Sequence, residues 1–330
     1  MMKALITGGA GFIGYHLAKE LLDNGYEVVL ADNFSRGVED KFLKELKKDA
    51  RVSFFVSDLM CRENVMKLGE EYDYIFHLAA IIGVQNVLNH AYDALEKNVK
   101  LLFHLVELGH RQKHLKRFVF ASTSEIYAGT LQYYEMKIPT PETTPLTVMP
   151  LDNPRTSYML SKIYGEAVMN QSGLPFTIIR PHNFYGPRMG MSHVIPELLK
   201  KAFTAKNGDK LEVFSVDHCR TFCYISDAVK MIRLLAESDK TLGEAYNVGN
   251  QQPEVSILKV AEMILEITGK NLLIEAKPAT IGSPARRCPE MLKVEQCIGY
   301  RGQVCLKDGI ERTYSWYKEN VFEGSEVSAK

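Results

Sequence analysis

Short apolar runs rich in β-branched and aromatic residues alternate with stretches of helical periodicity through the first half of the chain, the pattern of β-α-β units around a parallel sheet. Candidate strands are Lys3–Thr7, Glu27–Ala31, Val52–Val56, Tyr74–Leu78, Phe118–Ala121 and Phe176–Arg180. Each is nearly continuous in hydrophobicity, as expected of strands covered on both faces, so the spacing predicts an α/β fold with a doubly wound parallel sheet. Candidate helices include Phe12–Asn24, stopped by Gly25, and a long one from about Tyr158 to Ser172, stopped by Gly173-Leu174-Pro175. The run Ile138-Pro139-Thr140-Pro141-Glu142-Thr143-Thr144-Pro145 cannot hold regular structure and predicts a surface loop. After Pro181, Pro187, Pro196, Pro253, Pro278, Pro284 and Pro289 interrupt shorter elements, and a smaller, loop-rich second lobe is expected.

At 330 residues and 46% apolar the chain can bury a large core. Lys plus Arg and Asp plus Glu both total 40, so nothing general draws the chain to nucleic acid or membrane, and any anionic ligand must be met by local groups. The run His110-Arg111-Gln112-Lys113-His114-Leu115-Lys116-Arg117 has no aromatic interleaving and no second basic patch beside it, so it reads as a solvated helix end feeding the next strand. The opening apolar run is too short for a signal-peptide core or a bilayer span, which predicts a cytoplasmic protein. Six cysteines without a C-x-x-C pair predict reduced, structural thiols, and no metal is expected.

Thr7-Gly8-Gly9-Ala10-Gly11-Phe12-Ile13-Gly14 follows a predicted strand and opens a predicted helix, with glycines spaced G-x-x-G-x-x-G. Gly8 permits the tight turn, Gly11 lets the backbone approach a pyrophosphate, and Gly14 lets helix and strand pack. Asp32 ends the second strand, where a carboxylate meets the ribose hydroxyls of NAD. Asp32 would repel a 2′-phosphate and Arg36 would attract one, and NAD is favoured over NADP. Asp58, after the third strand, would accept from the adenine amino group or serve as a cap or turn residue. Phe12 and Ile13, Asn33 beside Asp32, Leu59 beside Asp58, and Ala79-Ala80 after the fourth strand complete the expected cofactor contacts.

Tyr158-Met159-Leu160-Ser161-Lys162 sets a phenol and an ammonium one helical turn apart on one face. A Lys⁺ near a Tyr favours the phenolate, which can take a proton from a sugar hydroxyl as hydride leaves its carbon for NAD. Phe120-Ala121-Ser122-Thr123-Ser124-Glu125-Ile126-Tyr127 leaves the fifth strand at its C-terminal end, the edge where such sheets bind ligands. Together with Asp32-Asn33-Phe34, His77-Leu78-Ala79-Ala80 and Arg180-Pro181-His182-Asn183-Phe184-Tyr185-Gly186-Pro187-Arg188, these segments make the chain resemble the NAD-dependent nucleotide-sugar epimerase/dehydratase family, a group of extended short-chain dehydrogenases/reductases. The resemblance continues through Arg220–Asp227, Tyr246–Asn250 and Gly282–Pro289.

It implies a Rossmann domain formed by residues 1–180 and about 218–249, and a C-terminal α/β lobe, about 181–217 and 250–330, that binds a nucleotide-diphosphate sugar. It also implies that Tyr158 is the base, Lys162 lowers its pKa and holds the nicotinamide ribose, and Thr123 hydrogen-bonds the reacting hydroxyl. Asn183, Arg188, Arg220 and Arg287 are implied at the substrate, with a homodimer formed through the helices near Ala94–Leu108 and Tyr158–Gln171. In the family, oxidation at sugar carbon 4 is followed by epimerisation, decarboxylation or dehydration, and the hydride is returned. Ser-Thr-Ser-Glu is similar to UDP-glucuronate decarboxylases and GDP-mannose 4,6-dehydratases, in which Glu125 would act as a base. Many other dehydratases carry an Asp where Ser124 stands, while the surroundings of Tyr158 depart from one large decarboxylase group. Epimerisation leads on family frequency, with decarboxylation and dehydration open. A non-catalytic NAD-binding protein on the same fold is the contrasting class, and intact Thr123, Tyr158 and Lys162 argue against it.

Overall fold

The computed structural model describes residues 1–280 and 283–324; Gly282 of the segment quoted above lies outside them. Six strands form where the hydrophobic runs predict them: β1 (Lys3–Thr7), β2 (Glu27–Asp32), β3 (Val52–Val56), β4 (Tyr74–His77), β5 (Arg117–Ala121) and β6 (Phe176–Pro181). A seventh, Glu244–Val248, pairs in parallel with β6; with Glu244 and Asn247 in it, it offers no continuous apolar run and is absent from the strands expected above. The order is seventh strand, β6, β5, β4, β1, β2, β3, all parallel. The chain reverses direction across the sheet between β1 and β4, and ligands of such sheets lie above the C-terminal strand ends at that point.

Two expectations need correction. β3 is not covered on both faces: it is the edge strand, and Val56 is 72% exposed. Residues 138–145 do not form a plain surface loop. Thr140 is buried, its N–H donates to Cys288 O at 2.9 Å and its carbonyl accepts from Glu290 N at 2.9 Å, so the prolines shape a seam between the two halves of the chain.

Helix α1 (Phe12–Asp23) runs back from β1. The helix bearing Tyr158 spans Pro154–Gln171, four residues longer at its start than its periodicity suggests, because Asn153 caps it through Arg155 N at 3.0 Å and Pro154 takes the first turn, where no N–H is needed. It packs on the Ala91–Arg111 helix. One apolar cluster joins Ile6, Leu17 and Val28 to Leu199, Val260 and Ile310 of the C-terminal part, and another fills the opposite face of the sheet around Ile75, Leu105 and Phe118. In the C-terminal part, Cys219–Arg220 lies between Val255–Ser256 and Arg286–Arg287, with Arg220 the register partner of Arg287. Among the described residues no helix is long and apolar enough to cross a membrane.

Candidate active site

The turn after β1 fits a dinucleotide. Gly8 has φ +73°, and a Cβ on Gly14 would lie 2.2 Å from Gly8 O, so this approach of helix to turn exists only with glycine there. A Cβ on Gly11 would meet only Gly8 O, so its other side is open. Helix α1 starts at Gly11 without a side-chain cap, leaving first-turn N–H groups, including those of Phe12 and Ile13, for an anion. Two buried hydroxyls, Ser57 Oγ just past β3 and Ser122 Oγ just past β5, have no partner among the described residues, and both sit at the ligand-binding edge.

Asp32 spends one lone pair of each carboxylate oxygen on the backbone: Ala10 N donates to Oδ2 at 3.0 Å and Phe34 N to Oδ1 at 2.8 Å. Burial raises its pKa and these bonds oppose the rise. The remaining lone pairs suit ribose hydroxyls. Asn33 holds a turn through Ser35 N at 3.0 Å, and Asp58 does the same through Met60 N at 3.0 Å, which is the turn role foreseen for it. Leu59 is buried and its carbonyl bonds His104 Nδ1 at 2.9 Å. Ala79 and Ala80 follow β4, and a Cβ on Gly8 would press on Ala79 N at 3.0 Å.

At the end of β5, Thr123 is extended and caps a 3₁₀ turn, Ser124–Tyr127, by accepting from Glu125 N at 3.2 Å. Thr123 also faces the Tyr158 hydroxyl closely enough to lower its pKa, so β5 and the Pro154–Gln171 helix converge on one oxygen. Burial pushes the Tyr158 phenol up and Glu125 adds to it, while Thr123 and Arg36 pull it back. Lys162 donates from Nζ to Ala121 O at 2.7 Å and sits 5.9 Å from the Tyr158 ring centroid, and Arg36, from the loop after β2, is a further cation that lowers the phenol. The two side chains share a helix face, but the long lysine stem carries its charge down onto the strand end.

Burial pushes the Lys162 ammonium down to about 8, with Glu166 opposing. Between pH 8 and 10.5 the folded chain therefore binds fewer protons than the unfolded one, and the Lys162 contribution to stability rises with pH across that window. Nitrogen NMR of lysine-labelled protein is expected to show one amine with a midpoint near 8 that disappears in Lys162→Met; a full set of midpoints near 10.5 would refute the burial.

The expected substrate residues divide. Asn183 (φ +42°) donates from Nδ2 to Thr221 O at 2.9 Å. Arg220 and Arg287 lie side by side through their strand register, and burial together with Arg287 pushes Arg220 down to about 10. Arg220 is pinned by Cys219 O at 2.7 Å, Pro284 O at 2.6 Å and Ser283 Oγ at 3.0 Å. Arg287 has no hydrogen-bond partner among the described residues; burial lowers its pKa, Glu125 opposes that, and Arg155 adds to it. Arg188 departs from its expected role, because its Nε donates to Asp40 Oδ2 at 2.7 Å in a buried ion pair and its guanidinium lies over the Tyr15 ring, which fastens the 181–188 segment to the N-terminal half. The sequence reading missed Arg155, one residue past a proline, and His182, inside a segment it quoted. Among the described residues no group of three His, Cys, Asp or Glu is placed to hold a metal.

A parallel sheet with an anion-ready glycine turn, and a Thr–Tyr–Lys set at its C-terminal edge, define a Rossmann oxidoreductase-type enzyme. The chain belongs to the NAD dependent epimerase/dehydratase family, whose model matches residues 4–249, and NAD is its cofactor. It is 31% identical over 331 residues to a UDP-N-acetyl-alpha-D-glucosaminuronate decarboxylase of Bacillus cytotoxicus, covering 96% of this chain and 98% of the relative. Among solved structures, a UDP-glucuronic acid 4-epimerase from Bacillus cereus in complex with UDP-glucuronic acid and NAD is similar with a TM-score of 0.83 at 28% identity, covering 96% of this chain and 99% of that one. A dTDP-glucose 4,6-dehydratase from Streptomyces venezuelae with NAD bound has a TM-score of 0.84 at 26% identity, covering 98% and 99%.

Proposed function

We propose that the enzyme acts on a UDP-linked hexuronic acid, oxidising carbon 4 of the sugar and releasing the carboxyl group as CO₂. The carrying observation is charge: Arg287, beside Glu125 and without a hydrogen-bond partner among the described residues, is the strand-register neighbour of the buried Arg220, a pair of cations suited to a diphosphate and a uronate together. Names among the relatives support the same substrate class, with a decarboxylase and a 4-epimerase both acting on UDP-uronic acids.

NAD supplies a hydride acceptor that later returns the hydride. Thr123 holds the carbon 4 hydroxyl, and Tyr158, relieved of its proton, takes the hydroxyl proton as the ketone forms. Arg36 and Lys162 are the cations that favour the phenolate. Arg287 meets the sugar carboxylate. With a ketone at carbon 4 the substrate is a β-keto acid: the bond from carbon 5 to the carboxyl breaks, CO₂ leaves, and its electron pair stays on carbon 5 as an enolate. Glu125, from the side facing Arg287, delivers a proton to carbon 5. Hydride return then gives a UDP-pentose, and one proton is consumed overall.

The test supplies NAD and UDP-glucuronate or UDP-N-acetylglucosaminuronate, each ¹³C-labelled at the carboxyl. Labelled CO₂ is expected, with Glu125→Gln slower by about 10²-fold. Conversion to the 4-epimer with the carboxyl retained would overturn decarboxylation in favour of epimerisation. That second reading keeps the same first half-reaction and is supported by the likeness to the Bacillus cereus enzyme.

A further inference from the structure

Arg36 crosses the crevice in which a dinucleotide must lie. Its loop is fastened on both sides: Phe34 N donates to Asp32 Oδ1 at 2.8 Å, and a Cβ on Gly37 would lie 2.5 Å from Ala10 Cβ, so the chain returns onto the glycine turn. The guanidinium reaches the opposite wall, where it stands 3.8 to 3.9 Å from the position that a Cβ on Gly83, past the end of β4, would take. Since β1 lies between β2 and β4 in the sheet, the side chain passes over the glycine turn from one flank to the other.

That direction differs from the one the sequence suggests. An arginine four residues after Asp32 would attract a 2′-phosphate beside that carboxylate, yet the ionisable group acting on Arg36 is the Tyr158 phenol across the crevice and not Asp32. His193, which precedes the Val194–Thr204 helix of the C-terminal part, meets the same cation: burial first, then the Arg36 charge, lowers its pKa. Arg36 is exposed to solvent and, among the described residues, has neither a carboxylate partner nor a hydrogen bond. A guanidinium spanning an open crevice without a carboxylate is a cation placed for an anionic ligand. The dinucleotide brings one. Its adenosine ribose belongs at Asp32 and its nicotinamide ribose at Tyr158 and Lys162, so the diphosphate joining them runs over the glycine turn, between the two ends that Arg36 connects.

We infer that Arg36 is a strap over the cofactor diphosphate, its planar fork meeting phosphate oxygens from the side opposite the backbone N–H groups of Phe12 and Ile13. Held from both sides, the cofactor stays in place while hydride leaves the sugar and returns. The inference rests on NAD as the cofactor and is independent of the decarboxylation step.

Calorimetry on the full chain freed of nucleotide, with ADP-ribose, adenosine, NAD, NADP and UDP as separate ligands, tests it in wild type and Arg36→Met, which keeps an unbranched stem and deletes the charge. ADP-ribose and NAD are expected to bind at least about tenfold more weakly to the variant, the scale of one hydrogen bond to a charged group. Adenosine has no phosphate and UDP belongs to the substrate, so both are expected to change by less than about threefold, and the preference for NAD over NADP is expected to hold within the same margin. Unchanged ADP-ribose binding overturns the inference. So does a loss shared equally by adenosine, which would make Arg36 a packing residue of its loop, a loss confined to NADP, which would restore the 2′-phosphate role, or a loss confined to UDP, which would assign the cation to the substrate. Adenosine binding also reports that the variant is folded.

Discussion

Tyr158→Phe is expected to slow oxidation of the sugar by about 10³-fold while leaving NAD and nucleotide-sugar binding in place. The substitution keeps the ring, and with it the contacts of a half-buried side chain, and deletes only the oxygen on which Thr123 and the helix converge. Single-turnover appearance of reduced cofactor absorbance, alongside calorimetric binding of NAD, reads the two effects separately. A rate within about tenfold of wild type would remove Tyr158 from proton transfer and leave the hydroxyl with a packing role.

Arg180→Met is expected to cost about 3–5 kcal/mol of stability, because it strands a buried carboxylate without its partner. Arg180 donates to both oxygens of Glu166, at 3.0 and 2.7 Å, in a pair buried on both sides, and also to Tyr127 Oη and the Glu142 carbonyl at 3.0 Å. Through Tyr127 the same guanidinium braces the turn that carries Thr123 and Glu125, so activity is expected to fall with stability. The double variant Glu166→Met/Arg180→Met removes the stranded charge and should recover part of the loss, measured by denaturant unfolding. Equal stability of the single and double variants would show that the ion pair is not what holds this region.

Most of the sheet was legible because parallel strands buried on both faces announce themselves as continuous apolar runs. The glycine turn was legible for a related reason: its close contacts are made between residues six apart, so the requirement is local. The Tyr158–Lys162 spacing likewise fixes a shared helix face. Where the reading failed, the deciding partners were distant. The seventh strand carries Asn247 because that side chain is the hub for Tyr127, Thr140 and His182, a polar role that breaks the apolar run. Residues 138–145 looked like surface because prolines exclude regular structure, yet their backbone pairs with residues near 288–290.

Local periodicity and turn chemistry, properties of neighbours along the chain, were thus enough to determine a doubly wound sheet, a dinucleotide turn and a Tyr–Lys pair at its edge. Tertiary structure decided the charges: Arg36 added to Lys162 near the phenol, Arg188 committed to Asp40 at a sequence separation of 148, Arg287 set against Arg220 by strand register, and one bare nitrogen on His182. Such pairings depend on burial and on which side chains meet across the fold, and Coulomb and desolvation energies at those contacts exceed anything that local spacing encodes.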